Sequence, residues 1–353
     1  MPVTIREKIK SFIKLNGSIS LENFMEIALF DNNNGYYNTN KIIGQKGDFI
    51  TSPEINQIFS EMILTNIYNQ WESLGKPKNF SIIDLGPGKG SMMRDILLKS
   101  SFSKEFSDGI NPILYEKSKI LKNVQKSNLG EFNCHWVENI NQFPKIPSFI
   151  IANEFFDSLP INQFISLNGD WYNHSIFYRN GKFYFDIGKK AKLVNFKPTR
   201  DGVIKEISFH SKKIFSNLVN FIIKYGSSIL IIDYGQTEEN FVNGNTVQAM
   251  NKHRSVDIFD DIGNTDISSW VDFSIFKKIS EDKLNSFGPI SQKAFLYNLG
   301  IRERFEFIAK NKTPNQRRSL LQDFERLVSE NHMGQLFKVF GLSEKKLKNF
   351  PGF

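Results

Sequence analysis

"SIIDLGPGKGSMMRDIL", residues 81–97, carries the strongest structural signal in the chain. An apolar run ends in Asp84, glycines follow at positions 86, 88 and 90, and Ser91 opens a helix-like segment. A short apolar run, a glycine turn and then an amphipathic stretch describe a strand, a loop and a helix. Glycine is needed where such a loop takes positive φ or where a ligand approaches the backbone closely. Turns of this kind also occur with no ligand, so the flanking residues carry the argument.

A triphosphate loop requires Gly-x-x-x-x-Gly-Lys-Ser/Thr, with the lysine directly before the hydroxyl residue. Here Lys89 precedes Gly90 and Ser91 comes after it, which is the wrong register. A dinucleotide fingerprint requires Gly-x-Gly-x-x-Gly. This loop is Gly86-x-Gly88-x-Gly90, with Asp84 two residues ahead of the first glycine. An acid there repels a pyrophosphate and suits a cation. S-adenosylmethionine (SAM) carries an ammonium and a sulfonium, and its small carboxylate suits a helix N-terminus. At about 4 Å and an effective dielectric near 20, a carboxylate–cation pair is worth roughly 4 kcal/mol before desolvation. The sign of Asp84 therefore favours SAM and argues against an NAD-dependent oxidoreductase.

Apolar runs at 81–85, 113–115, 149–153 and 228–234 read as buried parallel strands. Helical stretches at 91–100, 117–127 and 211–225 supply the crossovers, so an α/β doubly wound sheet follows. Residues 4–30 read as two helices broken at "NGS", with Ser18 or Ser20 capping the second, and another helix runs from about Asn56 to Leu74. "WYNHSIFY", the turn "RNG" and "KFYFDIG" read as an inserted hairpin. Residues 235–270 read as a long loop, 286–293 as a strand region, and about 302–350 as helices. The expected division is a helical segment at 1–75, a Rossmann-like core at 76–300 with an insertion at about 165–205, and C-terminal helices at 301–353.

Two further strand ends gather polar groups. "PILYEKS" puts Glu116 at the tip of the second strand, where an acid can accept both ribose hydroxyls, a device NAD enzymes share. "FIIANEFFDSLP" puts Asn153, Glu154 and Asp157 at the carboxyl end of a central strand, with Phe155 and Phe156 able to stack on a flat group or to pack.

Composition narrows the class. Hydrophobic residues make up 40% and charged residues 23%, a globular balance. No apolar stretch reaches the roughly 18 residues of a membrane helix. Cys134 is the single cysteine, which excludes an intramolecular disulfide and a thiolate metal cluster, and the five histidines show no metal-ligand spacing. The net charge of +8 comes from lysines spread along the chain without aromatic interleaving, so no nucleic-acid partner is expected. The N-terminus reads as a basic amphipathic helix without a secretory signal; Glu7 and the scarcity of serine and arginine argue against an organelle leader. The expected location is a bacterial cytoplasm, or the mitochondrial matrix in a eukaryotic host.

Taken together, "GYY" (35–37), "GDFITSPEINQIF" (47–59), "DLGPGKGS" (84–91), "YEKSKILKNVQ" (115–125), "ANEFFDSLP" (152–160), "IIDYG" (231–235), "DISSWVDF" (266–273), "SQKAFLYNLGIRER" (291–304) and "MGQLFKVF" (333–340) resemble the MidA family of SAM-dependent methyltransferases. The match covers nearly the whole chain, and the pair "GDFITSPE" and "NEFFDSLP" is its most specific part. The resemblance implies a class I methyltransferase fold and an arginine in a protein as methyl acceptor, by analogy a subunit of respiratory complex I. It implies that Asp84, Gly86, Pro87, Gly88 and Gly90 surround the amino-acid moiety of SAM, that Glu116 meets the ribose and that Asn153 lies near the sulfonium end. Thr51, Ser52 and Glu54 would close the pocket. Two positions depart from the family pattern: Trp270 stands where a histidine is usual before "VDF", and Ser291 replaces the commoner threonine.

Methyl transfer is an in-line displacement, so positioning supplies much of the catalysis and no metal is required. An arginine acceptor holds its proton with a pKa above about 12 and needs carboxylates to orient it, a pairing its planar fork favours. Glu154 with Asp157 is the expected clamp, Glu54 is a further catalytic candidate, and Asp48, Phe155 and His253 are candidates for substrate contact. The alternative is a SAM-binding assembly or scaffolding factor that docks a partner with little or no turnover.

Overall fold

A computed structural model describes residues 3–39, 52–192, 194, 196–197, 199–236, 244–252 and 254–353. Two compact units arise from alternating segments of chain. One comprises Met1–Phe49, Asp157–Ile214 and Glu238–Trp270; the other comprises Ile50–Phe156, Phe215–Thr237 and Val271–Phe353.

The second unit is built on an eight-stranded sheet: β1 (Phe80–Leu85), β2 (Ile110–Tyr115), β3 (His135–Val137), β4 (Ser148–Asn153), β5 (Ser228–Gln236), β6 (Val271–Asp272), β7 (Asn285–Ser291) and β8 (Phe337–Ser343). The strand order is β7-β8-β5-β4-β1-β2-β3, with β6 paired to β5. Strands β1 to β5 run parallel, while β8 is antiparallel to both β5 and β7. Every residue of β1 and β4 is buried, which explains their apolar runs: both faces are covered. Helices Gln57–Ser73, Ser91–Lys99 and Lys119–Asn128 supply connections. Trp71, Phe106, Phe80 and Phe149 form one aromatic chain in the core, and Phe215 stacks on Phe276 at 4.2 Å to form another.

The expected doubly wound sheet is present, and three readings of the sequence need correction. The strand β3, "HWV", was not legible because only Val137 of its three residues is buried, so no apolar run marks it. The expected helical run from 302 to 350 ends early: Phe337–Ser343 is a strand, and its β-branched and aromatic residues suit a place between two partners. The expected long loop at 235–270 contains the strands Gln248–Asn251, Arg254–Ser255 and Asp266–Ser268, each too short to show periodicity.

In the first unit, helices Ile5–Asn16 and Leu21–Phe30 are separated at Gly17, and Ser20 caps the second by accepting from the Asn23 N–H. Ile5, Ile9 and Ile13 recur at helical spacing and enter a core with Phe24, Met25 and Leu29. The inserted hairpin is Asp170–Arg179 and Lys182–Lys190, with Arg179 opposite Lys182. Asn180 and Gly181 take φ of 52° and 83°, the two positive values a tight two-residue hairpin turn requires.

Candidate active site

β1 lies between β2 and β4, so its carboxyl end opens where the crossovers diverge, the usual ligand crevice of an open α/β sheet. The glycine loop leaves from there. Gly86 donates to the Tyr115 carbonyl at 3.0 Å, and Gly90 donates to the Pro87 carbonyl at 2.8 Å. Gly86 has φ of 64°, and a Cβ there would stand 2.9 Å from Phe155 Cδ2. Gly88 has φ of 55°, yet a Cβ there would meet nothing within 4 Å, so the loop borders open space.

Beneath the loop, Asp84 is 1% exposed and its Oδ2 has no hydrogen-bond partner among the described residues. Burial, with Glu116 nearby, pushes its carboxyl up to about 8. Glu116, at the tip of β2, is raised chiefly by burial; hydrogen bonds from Ser118 and Gln125 pull the other way. Ser118 N–H reaches Glu116 Oε1 at 2.8 Å, and Gln125 Nε2 reaches Oε2 at 3.1 Å. At the end of β4, Asn153 Nδ2 donates to Glu154 Oε1 at 3.2 Å, while the buried Asn153 Oδ1 has no partner among the described residues.

Glu154 takes φ of 51°, a left-handed backbone rare outside glycine and asparagine. Its N–H donates to Ile232 O at 2.9 Å, and its Oε1 also accepts the Ser52 N–H at 3.2 Å. The short helix Ser52–Ile55 is tied as well through Glu54, whose Oε2 lies 3.0 Å from Lys89 Nζ in the glycine loop. Phe155 packs edge-on to Tyr115 with centroids 6.0 Å apart, and Phe156 packs on Phe276 at 4.7 Å. Phe156 N–H donates to Asp233 Oδ2 at 3.0 Å.

The second unit thus brings together Asp84, Gly86, Pro87, Gly88, Gly90, Glu116, Asn153, Glu154, Phe155, Ser52 and Glu54. Asp157 belongs to the first unit, where its carbonyl accepts the Ser269 N–H at 2.9 Å. In that unit Tyr37 donates to Asp266 Oδ1 at 3.1 Å. Burial, then Asp266 and Asp157, push its phenol well above the ordinary range. Asp48, Thr51 and His253 lie outside the described residues. Trp270 uses its main-chain N–H, which donates to Thr246 Oγ1 at 3.0 Å. Ser291 accepts the Ala294 N–H as the cap of the helix Gln292–Asn298, a role threonine also fills.

These residues fit SAM. An unpartnered buried carboxyl oxygen, a glycine loop bordering open space and a second buried carboxylate match a cation, an amino-acid moiety and a diol. The sequence pattern does not single out Gln125 or the pairing of Lys89 with Glu54. Gln125 shares a helix with mostly polar neighbours, and its contacts with Glu116, nine positions back, and with Gly88 are tertiary.

Sheet, crevice and chemistry define a class I SAM-dependent methyltransferase. The family model described as "Putative S-adenosyl-L-methionine-dependent methyltransferase" matches residues 62–290, and the chain belongs to that family. Its cofactor is SAM. The chain is 30% identical to the mitochondrial protein arginine methyltransferase NDUFAF7 of Xenopus laevis, over 96% of this chain and 84% of that protein. It is also 30% identical to the Homo sapiens NDUFAF7, over 94% and 81%. A COG1565 superfamily member from Burkholderia thailandensis, solved with S-adenosyl-homocysteine bound, shares the fold at a TM-score of 0.82 and 19% identity, covering 99% of this chain and 93% of that one. No helix among the described residues is long and apolar enough to cross a membrane.

Proposed function

We propose that this chain transfers a methyl group from SAM to an arginine side chain of a protein, with Glu154 orienting the guanidinium. The observation that carries this is Glu154 itself. It holds a strained left-handed backbone at the carboxyl end of β4, one strand from the glycine loop, and its carboxylate is steadied by the Ser52 and Asn153 N–H groups. Strain of this kind costs of order 1–3 kcal/mol and persists where a function needs it. SAM would supply an activated methyl on a sulfonium: the S–CH3 bond breaks as the N–CH3 bond forms, S-adenosylhomocysteine leaves, and the guanidinium nitrogen gives up one proton. The chain supplies the rest: Asp84 meets the cationic end, Glu116 accepts from the ribose, Asn153 faces the sulfonium end, and Glu154 pairs with the guanidinium through N–H···O bonds. Asp157, in the other unit, is a second candidate acid to be tested by its own variant.

The names of the curated relatives support the acceptor. The resemblance carried by the sequence motifs adds a substrate subunit of complex I type, met in the mitochondrial matrix of a eukaryote or the cytoplasm of a bacterium. The experiment is incubation of the purified chain with SAM labelled in its methyl group and an extract of its host, followed by acid hydrolysis. Methylarginine should carry the label, and Glu154→Gln should lower its formation at least about a hundredfold. Label on another amino acid would refute the arginine reading. SAM binding without any transfer would instead favour an assembly factor.

A further inference from the structure

We infer that Gln125 is a positioning residue for the cofactor ribose, holding the Glu116 carboxylate and the glycine loop in one register. Its side chain is fully buried, and every hydrogen-bonding group on it is used. Nε2 donates to Gly88 O at 2.8 Å and to Glu116 Oε2 at 3.1 Å; Oε1 accepts the Trp136 indole N–H at 2.9 Å.

The third of these bonds fixes the other two. An indole nitrogen only donates, so it requires the amide oxygen to face Trp136 and turns the NH2 toward the carboxylate and the loop carbonyl. A reversed amide would set its oxygen against two acceptors and its NH2 against a donor. Trp136 in β3 therefore determines the direction of an amide that joins the end of β2 to the loop after β1.

The helix Lys119–Asn128, with its N-cap, delivers two of the donors that hold Glu116, beside the Lys117 N–H. Ser118, the N-cap, gives a backbone N–H to Oε1, and Gln125, two turns further on, gives its amide to Oε2. A carboxylate has about four acceptor positions. Ser118, Gln125 and the Lys117 N–H engage it here, and a ribose hydroxyl can reach what remains only while the carboxylate plane is held still. This inference rests on the reading of Glu116 as the ribose acceptor.

The test compares binding of S-adenosylhomocysteine and its 2′-deoxy analogue by titration calorimetry. The proteins are wild type, Gln125→Met, which keeps the volume but cannot hydrogen-bond, and Trp136→Phe, which leaves Gln125 in place without its orienting donor. Wild type should prefer the ribose compound by about tenfold or more, the worth of a hydrogen bond to a charged group. The preference should shrink to within about threefold in Gln125→Met, through weaker binding of the ribose compound, and fall in the same direction in Trp136→Phe. Loss of a merely structural amide would weaken both ligands equally and leave the ratio unchanged. A preference kept by the variants would overturn the role of Gln125 alone. A wild-type ratio near one would remove the ribose assignment of Glu116, and this inference with it. Should Gln125→Met fail to fold, Trp136→Phe decides.

Discussion

Asp84 is the side chain proposed to meet the cationic end of SAM, and a buried carboxyl beside another acid is costly to ionise. The folded protein raises its pKa from the ordinary value to about 8. Between about pH 4 and 8 the folded state therefore holds a proton that the unfolded chain has released, and stability falls as pH rises through that window. Asp84→Asn mimics the protonated form and should flatten this decline, leaving the slope contributed by Glu116, which is also raised. Urea unfolding at pH 5 and pH 9 measures the difference. A cation beside Asp84 favours the ionised form. Binding of SAM at pH 7 should therefore release up to about one proton, seen as a dependence of binding enthalpy on buffer ionisation enthalpy, and Asp84→Asn should abolish that release. The sign of this residue was legible from its place before Gly86; that its Oδ2 meets no hydrogen-bond donor among the described residues required coordinates.

The turn after β4 shows how an element holds the proposed guanidinium-orienting side chain at a cost. Glu154 takes φ of 51°, where an L-residue loses roughly 1–2 kcal/mol relative to glycine. Glu154→Gly should relieve that strain while removing the bonds from Ser52 and Asn153, each worth about 1 kcal/mol. Stability in thermal or urea unfolding should change by less than about 1 kcal/mol, while methyl transfer is lost. A fall of several kcal/mol would mean that Glu154 is mainly a structural clasp for the helix Ser52–Ile55. The parallel strands were legible because burial on both faces writes long apolar runs. β3 and β8 were not: β3 has one buried residue, and β8 is defined by partners at 228–236 and 285–291 that local periodicity cannot name. The hairpin was legible because Asn180-Gly181 is a turn with a mechanism.

At the level of the whole chain, the two units are each assembled from segments far apart in sequence. Linear reading followed the chain and proposed boundaries at about 75 and 300, since nothing in composition marks a return at 157 or 271. It picked out the proposed cofactor end of the site, because Asp84, the glycines and Glu116 sit at strand tips that local pattern exposes. It passed over Gln125 and the pairing of Lys89 with Glu54, because both matter through tertiary contact. The most direct check of the account is calorimetric titration of S-adenosylhomocysteine into wild type and Gly88→Val. The loop at Gly88 borders open space, so a side chain there obstructs the ligand rather than the protein, apart from the strain of a β-branched residue at φ of 55°. The account predicts saturable binding of one equivalent to wild type, weakened by more than about a hundredfold in a variant that still folds. Undiminished binding to Gly88→Val, or none to wild type, would contradict it.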